Sequence, residues 1–236
     1  MSFQFRQFNV EDGRCAMKVS TDGVLLGTWA KAAGDALNIL DIGAGCGVVS
    51  LILAQRYSRA RISAIELDPD AATDCAENFA ASPWHDRLQA VCADAMEYTP
   101  EESFDLIVSN PPFFTEALKA PDARRATARH AAALSPFSVI DFAAKFLSAD
   151  GRLAMITDCR NTSDIILHAR INRLNVLEMT GVSTKQGKPD KRMLWLFAAE
   201  DAPLRKSQLP LRNPDGSWHH DYVRLVEPFY LRMPKT

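Results

Sequence analysis

The sequence has no paired cysteines, no long apolar run and no large excess of charge. Its five cysteines are scattered without a C-x-x-C pair, which argues against a zinc site or a disulfide framework and favours reduced thiols. No stretch approaches the ~20 apolar residues of a membrane span, and residues 1–10 lack the apolar core of a signal peptide. We therefore expect a cytoplasmic protein with neither a metal nor a membrane partner.

The net charge of −2 excludes a chain coated in positive charge, although local basic patches can still bind nucleic acid. Acidic residues are concentrated between positions 66 and 105, where Arg87 is the only base, so the rest of the chain is positive overall. The 236 residues suffice for one large α/β domain. They leave the oligomeric state open, with a monomer among the alternatives.

Predicted strands and helices alternate through the first five strands. Two further strands, 176–182 and 193–199, have no helix between them and should pair antiparallel. This order predicts a doubly wound, Rossmann-like α/β sheet of seven strands, mostly parallel with one antiparallel edge strand. We divide the chain into an N-terminal cap segment (1–36), a central domain (37–200) and a strand–helix extension packed on that domain (201–236).

A glycine-rich loop follows the first strand of the predicted sheet. Gly43, Gly45 and Gly47 come directly after Asp41 and before an apolar helix, so their backbone amides can approach a ligand closely. The dinucleotide fingerprint would need a small residue at position 48, where Val48 stands. A pyrophosphate cofactor is therefore disfavoured.

Polar residues end four successive strands: Asp41, Glu66, Asp94 and Asn110. The carboxyl ends of parallel strands meet at one edge of a sheet, where α/β proteins bind ligands. Glu66 stands where an acid binds ribose hydroxyls, whereas Asp68 and Asp70 are expected to cap a helix. These strand ends predict one ligand-binding crevice.

The fourth strand ends abruptly at Asn110-Pro111-Pro112-Phe113. This motif, the glycine loop, Glu66 and Asp94 resemble the S-adenosylmethionine-dependent methyltransferases that act on planar amino groups, over roughly residues 15–200. The resemblance implies that Glu66 holds the cofactor's ribose and Asp94 its adenine amine. It also implies that the loop from Gly43 to Gly47, with Asp41, holds the methionine portion, and that Asn110 lies beside the cofactor.

The chemistry of a planar amine explains the motif. Its nitrogen lone pair is delocalised into the ring, which makes the nitrogen a poor nucleophile, so the enzyme must make this nitrogen more reactive. The side-chain oxygen of Asn110 and the carbonyl of Pro111 can accept both amino hydrogens, Phe113 can stack on the ring, and the double proline keeps this group rigid. Neither acceptor titrates, so no general base is required.

Three further segments resemble one branch of these enzymes: 18–29, 82–84 and 229–231. The branch is the bacterial family that methylates the exocyclic amine of adenine 37 in valine transfer RNA. The resemblance implies that Lys18 and Asp22 contact the cofactor. Spacing alone allows a simpler interpretation, in which Thr21 or Asp22 caps a helix that covers the sheet.

Basic residues that could contact transfer RNA fall in two stretches: Arg124, Arg125 and Arg129 in the first, and Lys185 and Lys188 in the second. Basic residues are usually a solvated face, and position near the crevice favours RNA contact here.

Several other functions compete with methylation of transfer RNA. Phe113 is common in enzymes that methylate the N2 amine of guanine in ribosomal RNA, so a guanine enzyme is the nearest alternative. Release-factor glutamine methyltransferases have a sizeable helical domain before the glycine loop, and DNA adenine enzymes usually need extra recognition sequence. A noncatalytic RNA-binding protein is disfavoured because neither main motif is eroded.

Overall fold

The computed structural model describes residues 2–35, 38–112 and 134–233. Its strands are β1 (Ser2–Gln4), β2 (Asn9–Glu11), β3 (Asn38–Ile42), β4 (Arg61–Glu66), β5 (Leu88–Cys92), β6 (Phe104–Ser109), β7 (Leu147–Asp158), β8 (Asn175–Ser183), β9 (Asp190–Ala198) and β10 (Arg205–Pro210). Its helices are α1 (Thr21–Trp29), α2 (Val48–Arg56), α3 (Pro69–Ala80), α4 (Pro136–Phe146), α5 (Thr162–Ile171) and α6 (His220–Val226), with a 3₁₀ turn at His85–Arg87. Within these ranges no helix combines the length and the apolar character needed to cross a membrane.

Eight strands form the central sheet in the order β10-β8-β9-β7-β6-β3-β4-β5. All run parallel except β9, which is antiparallel to both of its neighbours, β7 and β8. The mostly parallel, doubly wound α/β fold is confirmed, with two differences in detail. The sheet has eight strands rather than seven because β10 adds to β8 in parallel, and the reversed strand β9 lies third from that edge rather than at it.

The sheet is covered on both faces, as a parallel sheet requires. Side chains alternate along each strand, so Ile39 of β3 enters one apolar cluster and Leu40 enters the other. Helices α1, α2, α3 and α6 pack into the first cluster, and α4 and α5 pack into the second. These layers hold the carboxyl ends of the parallel strands together along one side of the sheet. We call this side, which is distinct from the outer strands β10 and β5, the catalytic edge.

Helix α1 begins one residue earlier than a Thr21 cap would place it, and two residues earlier than an Asp22 cap would. Ser20 is the N-cap, and its hydroxyl oxygen accepts the amide proton of Gly23. Seven of the helix residues are buried, from Gly23 to Trp29. Asp22 is therefore in the first turn, with its side chain left for another contact.

The two ends of the described chain meet. Strands β1 and β2 form a separate antiparallel pair, and Phe5 bridges to Tyr230. The Arg6 side chain donates to the carbonyl of Tyr230, and its amide donates to that of Phe229, both at 2.8 Å. The Phe5 ring stacks on Phe8 at 4.5 Å. An aromatic cluster therefore joins the N-terminal hairpin to the segment after α6.

Candidate active site

The three glycines of the loop after β3 all have left-handed backbone conformations, with φ values of 71°, 56° and 80° for Gly43, Gly45 and Gly47. A Cβ at Gly47 would lie 2.7 Å from Phe79 and 2.8 Å from the sulfur of Cys75, so this position also has no room for a side chain. A Cβ at Gly45 would meet nothing within 4 Å. Packing therefore requires Gly47, whereas the backbone of Gly45 faces open space.

Glu66, the last residue of β4, is hydrogen-bonded to this loop. One carboxylate oxygen accepts the amide proton of Gly45 at 2.8 Å, and the other accepts that of Asp68 at 2.9 Å. The acid that the sequence assigns to the ribose thus lies beside the glycine loop. Asp68 also caps α3 as expected, since its side chain accepts the amide proton of Asp70.

Asp41 lies behind the loop and is only 1% exposed. Its carboxylate accepts hydrogen bonds from the amide and the hydroxyl of Ser50, at 3.2 and 2.7 Å, which ties β3 to α2. Burial raises the pKa of Asp41 to about 7, against the opposing effect of the Ser50 hydrogen bonds. In this geometry Asp41 supports the loop from the interior, and a direct contact with a cofactor stays a prediction.

Asp94 follows β5 and is half-buried at the same edge. Its side chain accepts the amide proton of Met96 at 2.8 Å, and the neighbouring amide of Ala93 donates to the carbonyl of Glu66 at 3.0 Å. The strand ends of β4 and β5 are therefore linked through their backbones, with Asp94 held in a short turn.

Strand β6 ends at Ser109, whose hydroxyl donates to the carbonyl of Ile42 at 2.8 Å. The bond joins the strand end before Asn110 to the start of the glycine loop. Pro111 is buried, and Asn110 and Pro112 are half-buried. Asn110 thus follows the strand next to β3, as the strand-end pattern predicts. Phe113 and the basic residues Arg124, Arg125 and Arg129 lie outside the described residues.

A small hollow opens beside the double proline. Its lining residues come from the ends of β6 and β7 and the starts of α4 and α5: Pro112, Pro136, Phe137, Thr157, Asp158, Asn161 and Ile165. The hydroxyl oxygen of Thr157 accepts a hydrogen bond from the ring nitrogen of the fully buried Trp195 at 2.9 Å, which fixes the wall of the hollow. Its volume of about 20 Å³ is enough for a single water molecule, so the hollow is a shallow depression beside the double proline rather than a pocket for a base.

Asp158 at this wall is a further strand-end acid, which we did not predict. Burial alone would raise the pKa of Asp158, but hydrogen bonds from Arg160 and the charge of Arg192 hold it below its ordinary value. The sequence could have indicated Asp158, because this acid ends β7 just as Glu66 ends β4.

Lys18 and Asp22 are both engaged by other parts of the chain. The Lys18 ammonium donates to the backbone carbonyls of Asp12, Gly13 and Cys15 at 2.5–3.1 Å. Asp22 accepts a hydrogen bond from Arg192 of β9 at 2.7 Å. The structure thus places Lys18 in a loop of its own segment and Asp22 against β9, and their contact with a cofactor stays a prediction.

Lys185 and Lys188 lie in the loop between β8 and β9. Because β8 runs in the same direction as β7, this loop is at the catalytic edge. Lys188 is exposed and Lys185 is half-buried. The topology therefore puts both lysines on the edge that holds Asn110.

The five cysteines, all within the described ranges, are free thiols. In the same ranges one group of three adjacent side chains has the composition of a metal site: His219, His220 and Asp221. His219 is buried, and its ring nitrogen accepts a hydrogen bond from the amide of Asp221 as the N-cap of α6. A capping role accounts for His219.

Comparison with known proteins agrees with this architecture. The family model of the methyltransferase small domain matches residues 20–182. The chain belongs to this methyltransferase family. A relative from Porphyromonas gingivalis named tRNA1(Val) (adenine(37)-N6)-methyltransferase is 42% identical over 240 residues, covering 97% of this chain and 94% of its own length. A relative with the same name from Tolumonas auensis is 37% identical over 233 residues, covering 98% of each chain.

Solved structures show the same methyltransferase fold at low sequence identity. "A predicted O-methyltransferase, protein Atu636 from Agrobacterium tumefaciens" superposes with a TM-score of 0.69 and 18% identity, covering 92% of this chain and 100% of the other. A ribosomal protein L11 methylase from Lactobacillus delbrueckii subsp. bulgaricus gives 0.55 and 15% identity, covering 81% and 84%. These likenesses concern the fold alone.

Proposed function

We propose that this chain transfers the methyl group of S-adenosylmethionine to the exocyclic N6 amine of an adenine in transfer RNA. Adenine 37 of valine transfer RNA is the proposed position. The observation that carries the proposal is the near full-length similarity to relatives named for that reaction. Asn110-Pro111-Pro112 at a strand end next to the glycine loop supports it. With this substrate we also propose a cytoplasmic location.

The residues at the catalytic edge fit the cofactor. The open face of Gly45 leaves room for the methionine portion, and the Glu66 carboxylate lies one hydrogen bond away, where it would hold the ribose hydroxyls. Asp94, at the end of the next strand, would accept from the adenine amine. S-adenosylmethionine supplies a methyl group that is already activated by a positively charged sulfur.

Asn110 and Pro111 would orient the substrate amine. Their two carbonyl oxygens accept its hydrogens and thereby direct the nitrogen lone pair out of the ring plane, while Phe113 stacks on the base. Transfer would form the bond between nitrogen and the methyl carbon as the bond from that carbon to sulfur breaks. The Asn110 amide does not titrate, so this side chain is not the base that takes the proton released from the amine. The base would lie beside Asn110 and Pro111, and an unpaired loop base reaches this site at little cost.

The proposal is tested by incubating the protein with labelled S-adenosylmethionine and separate pools of transfer RNA, ribosomal RNA, DNA and protein. We expect N6-methyladenosine in the transfer RNA pool, mapped to position 37 of the valine species, and no product when that adenine is replaced by guanine. N2-methylguanosine in ribosomal RNA would replace this function with the guanine alternative. Absence of label from every pool would favour the noncatalytic alternative.

A further inference from the structure

The catalytic edge has two halves of opposite charge. On the side of β4 and β5, the segments 66–70 and 93–98 contain no base and have these acids: Glu66, Asp68, Asp70, Asp94 and Glu97. On the side of β7, β9, β8 and β10, the segments at the edge contain these bases: Arg160, Lys185, Lys188, Lys191, Arg192 and Arg212. The acids of that second side are Asp158, Asp164, Asp190 and Asp215, and Asp22 of α1 pairs with Arg192, so the bases still outnumber the acids by one. A polyanion is repelled by the first half and attracted by the second.

The bases of the second half come from segments that are neighbours in the sheet, and we call them the basic strip (Arg160, Lys185, Lys188, Lys191, Arg192 and Arg212). Arg192 is in register with Asp158 of β7 on one side and Val182 of β8 on the other. Ser183 at the end of β8 is in register with Pro210 at the end of β10, and Arg212 follows two residues later. With a strand spacing of about 4.8 Å, the three steps from β7 to β10 span about 14 Å.

Both ends of the basic strip are anchored by neighbouring groups. At the inner end, the Arg160 guanidinium is held by Asp158 at the wall of the hollow, and 52% of its side chain remains exposed. At the outer end, Arg212 stacks 3.8 Å above the Trp218 ring and donates to the carbonyl of Gly216 at 2.7 Å. Cations held in place lose little conformational entropy when they bind phosphates.

The lysine loop is fixed to the outer end of the strip. The amide of Gln186 donates to the carbonyl of Arg212 at 2.8 Å, so the β8–β9 loop and the segment after β10 are joined through their backbones. Lys185 and Lys188 are two residues or fewer from that bond, and Lys188 is exposed. The loop therefore presents its charges from a rigid base.

We propose that the transfer RNA backbone beside the target adenine runs along the basic strip, from the hollow at Pro112 towards β10, and avoids the acidic half over β4 and β5. This inference rests on the proposed function and adds the direction of the RNA. The contacts are with phosphates, so they position the RNA without selecting its sequence. The acidic half is left to the cofactor, which is small and carries a positive sulfur.

The test compares two double variants with the same loss of charge. Lys185→Gln/Lys188→Gln removes two charges from the basic strip, whereas Arg59→Gln/Arg61→Gln removes two exposed charges near the amino end of β4, at the opposite edge. For the strip variant we expect KM for transfer RNA to rise about tenfold. The plot of log binding constant against log salt concentration should become shallower by about 1.5. Its kcat at saturating RNA, and its affinity for S-adenosylmethionine, should match those of the control.

A crosslinking experiment reports the path directly. A photoreactive group is attached at Lys188→Cys or at Glu97→Cys, in a protein whose exposed Cys92 and half-buried Cys159 are replaced by serine. We expect crosslinks to transfer RNA from position 188 and not from position 97. Crosslinks mainly from position 97, or a strip variant that behaves like its control while the wild type methylates transfer RNA, would overturn the path and leave the function intact. A wild type without activity on RNA would instead refute the function.

Discussion

The carboxylate of Glu66 accepts the amide proton of Gly45 at 2.8 Å, so the end of β4 is hydrogen-bonded to the middle of the glycine loop. Gly45 is also the glycine of this loop whose backbone faces open space. A ligand that lies on the loop at Gly45 therefore also meets the carboxylate. The two residues form one binding surface although they are on different strands.

Glu66→Gln should weaken S-adenosylmethionine binding about tenfold, because hydrogen bonds to a charged acceptor are stronger than those to a neutral amide. Isothermal titration measures this affinity. Glu77→Gln is the control, since Glu77 is exposed on α3 and loses the same charge. Equal affinities in the two variants would remove Glu66 from the cofactor site.

Asn110→Ala should lower kcat by about 10² to 10³, the usual effect of removing a polar group that acts on the reacting centre. Binding of S-adenosylmethionine should be nearly unchanged because the glycine loop and Glu66 remain. Single-turnover methylation of transfer RNA measures the first quantity. Asn175→Ala at the start of β8 is the control, and an Asn110 variant with normal turnover would contradict the proposed role.

Substitutions at two glycines of the loop should have different effects, one on stability and the other on cofactor binding. Gly47→Ala places a Cβ against Phe79 and Cys75 in a left-handed conformation, which costs about 1–2 kcal/mol for the backbone and about 1–3 kcal/mol for overpacking. Gly45→Ala has the backbone cost without the clash, so its main effect should be on cofactor affinity. Urea unfolding and cofactor titration, with exposed Gly34→Ala as the control, distinguish the two.

The buried Asp41 should make stability depend on pH. The folded state raises its pKa from 3.8 to about 7, so between these values the folded state binds more protons than the unfolded state. The free energy of unfolding therefore falls as pH rises from 4 to 7 and levels off above 7, with an upper limit of about 4 kcal/mol from this group.

Asp41→Asn keeps an oxygen for the Ser50 hydrogen bonds but cannot titrate. Urea unfolding of both proteins across this pH range should show that the wild type loses stability as pH rises, and that the variant loses less. Parallel curves would mean that Asp41 is ionised in the folded protein at all these pH values.

The strand-end residues could be predicted because their signals are local. A buried strand followed by a glycine loop or by two prolines fixes both where the strand stops and which residue comes next, and parallel strands place those residues at one edge. For this reason the sequence locates Glu66 at the end of β4, and Asp94 and Asn110 after β5 and β6, while their roles in binding and catalysis stay predictions.

The remaining features depend on contacts between distant segments. The Asp22–Arg192 pair joins residues 170 positions apart, and no local pattern in α1 indicates its partner. The place of β9 inside the sheet depends on the addition of β10 to β8, which hydrophobic periodicity does not specify. Burial of Asp41 could not be read from its position either, since Glu66 also ends a strand and is only half-buried.

The meeting of the chain ends has a kinetic consequence. Arg6 is synthesised 224 residues before its partner Tyr230, so the bridge at Phe5 can form only after every strand of the central sheet has been made. Contacts of such high sequence separation form slowly. The hairpin can therefore dock in two stages: its contacts with Asn78 and Trp84 can form as soon as those residues have been made, and the bridge to Tyr230 is completed last.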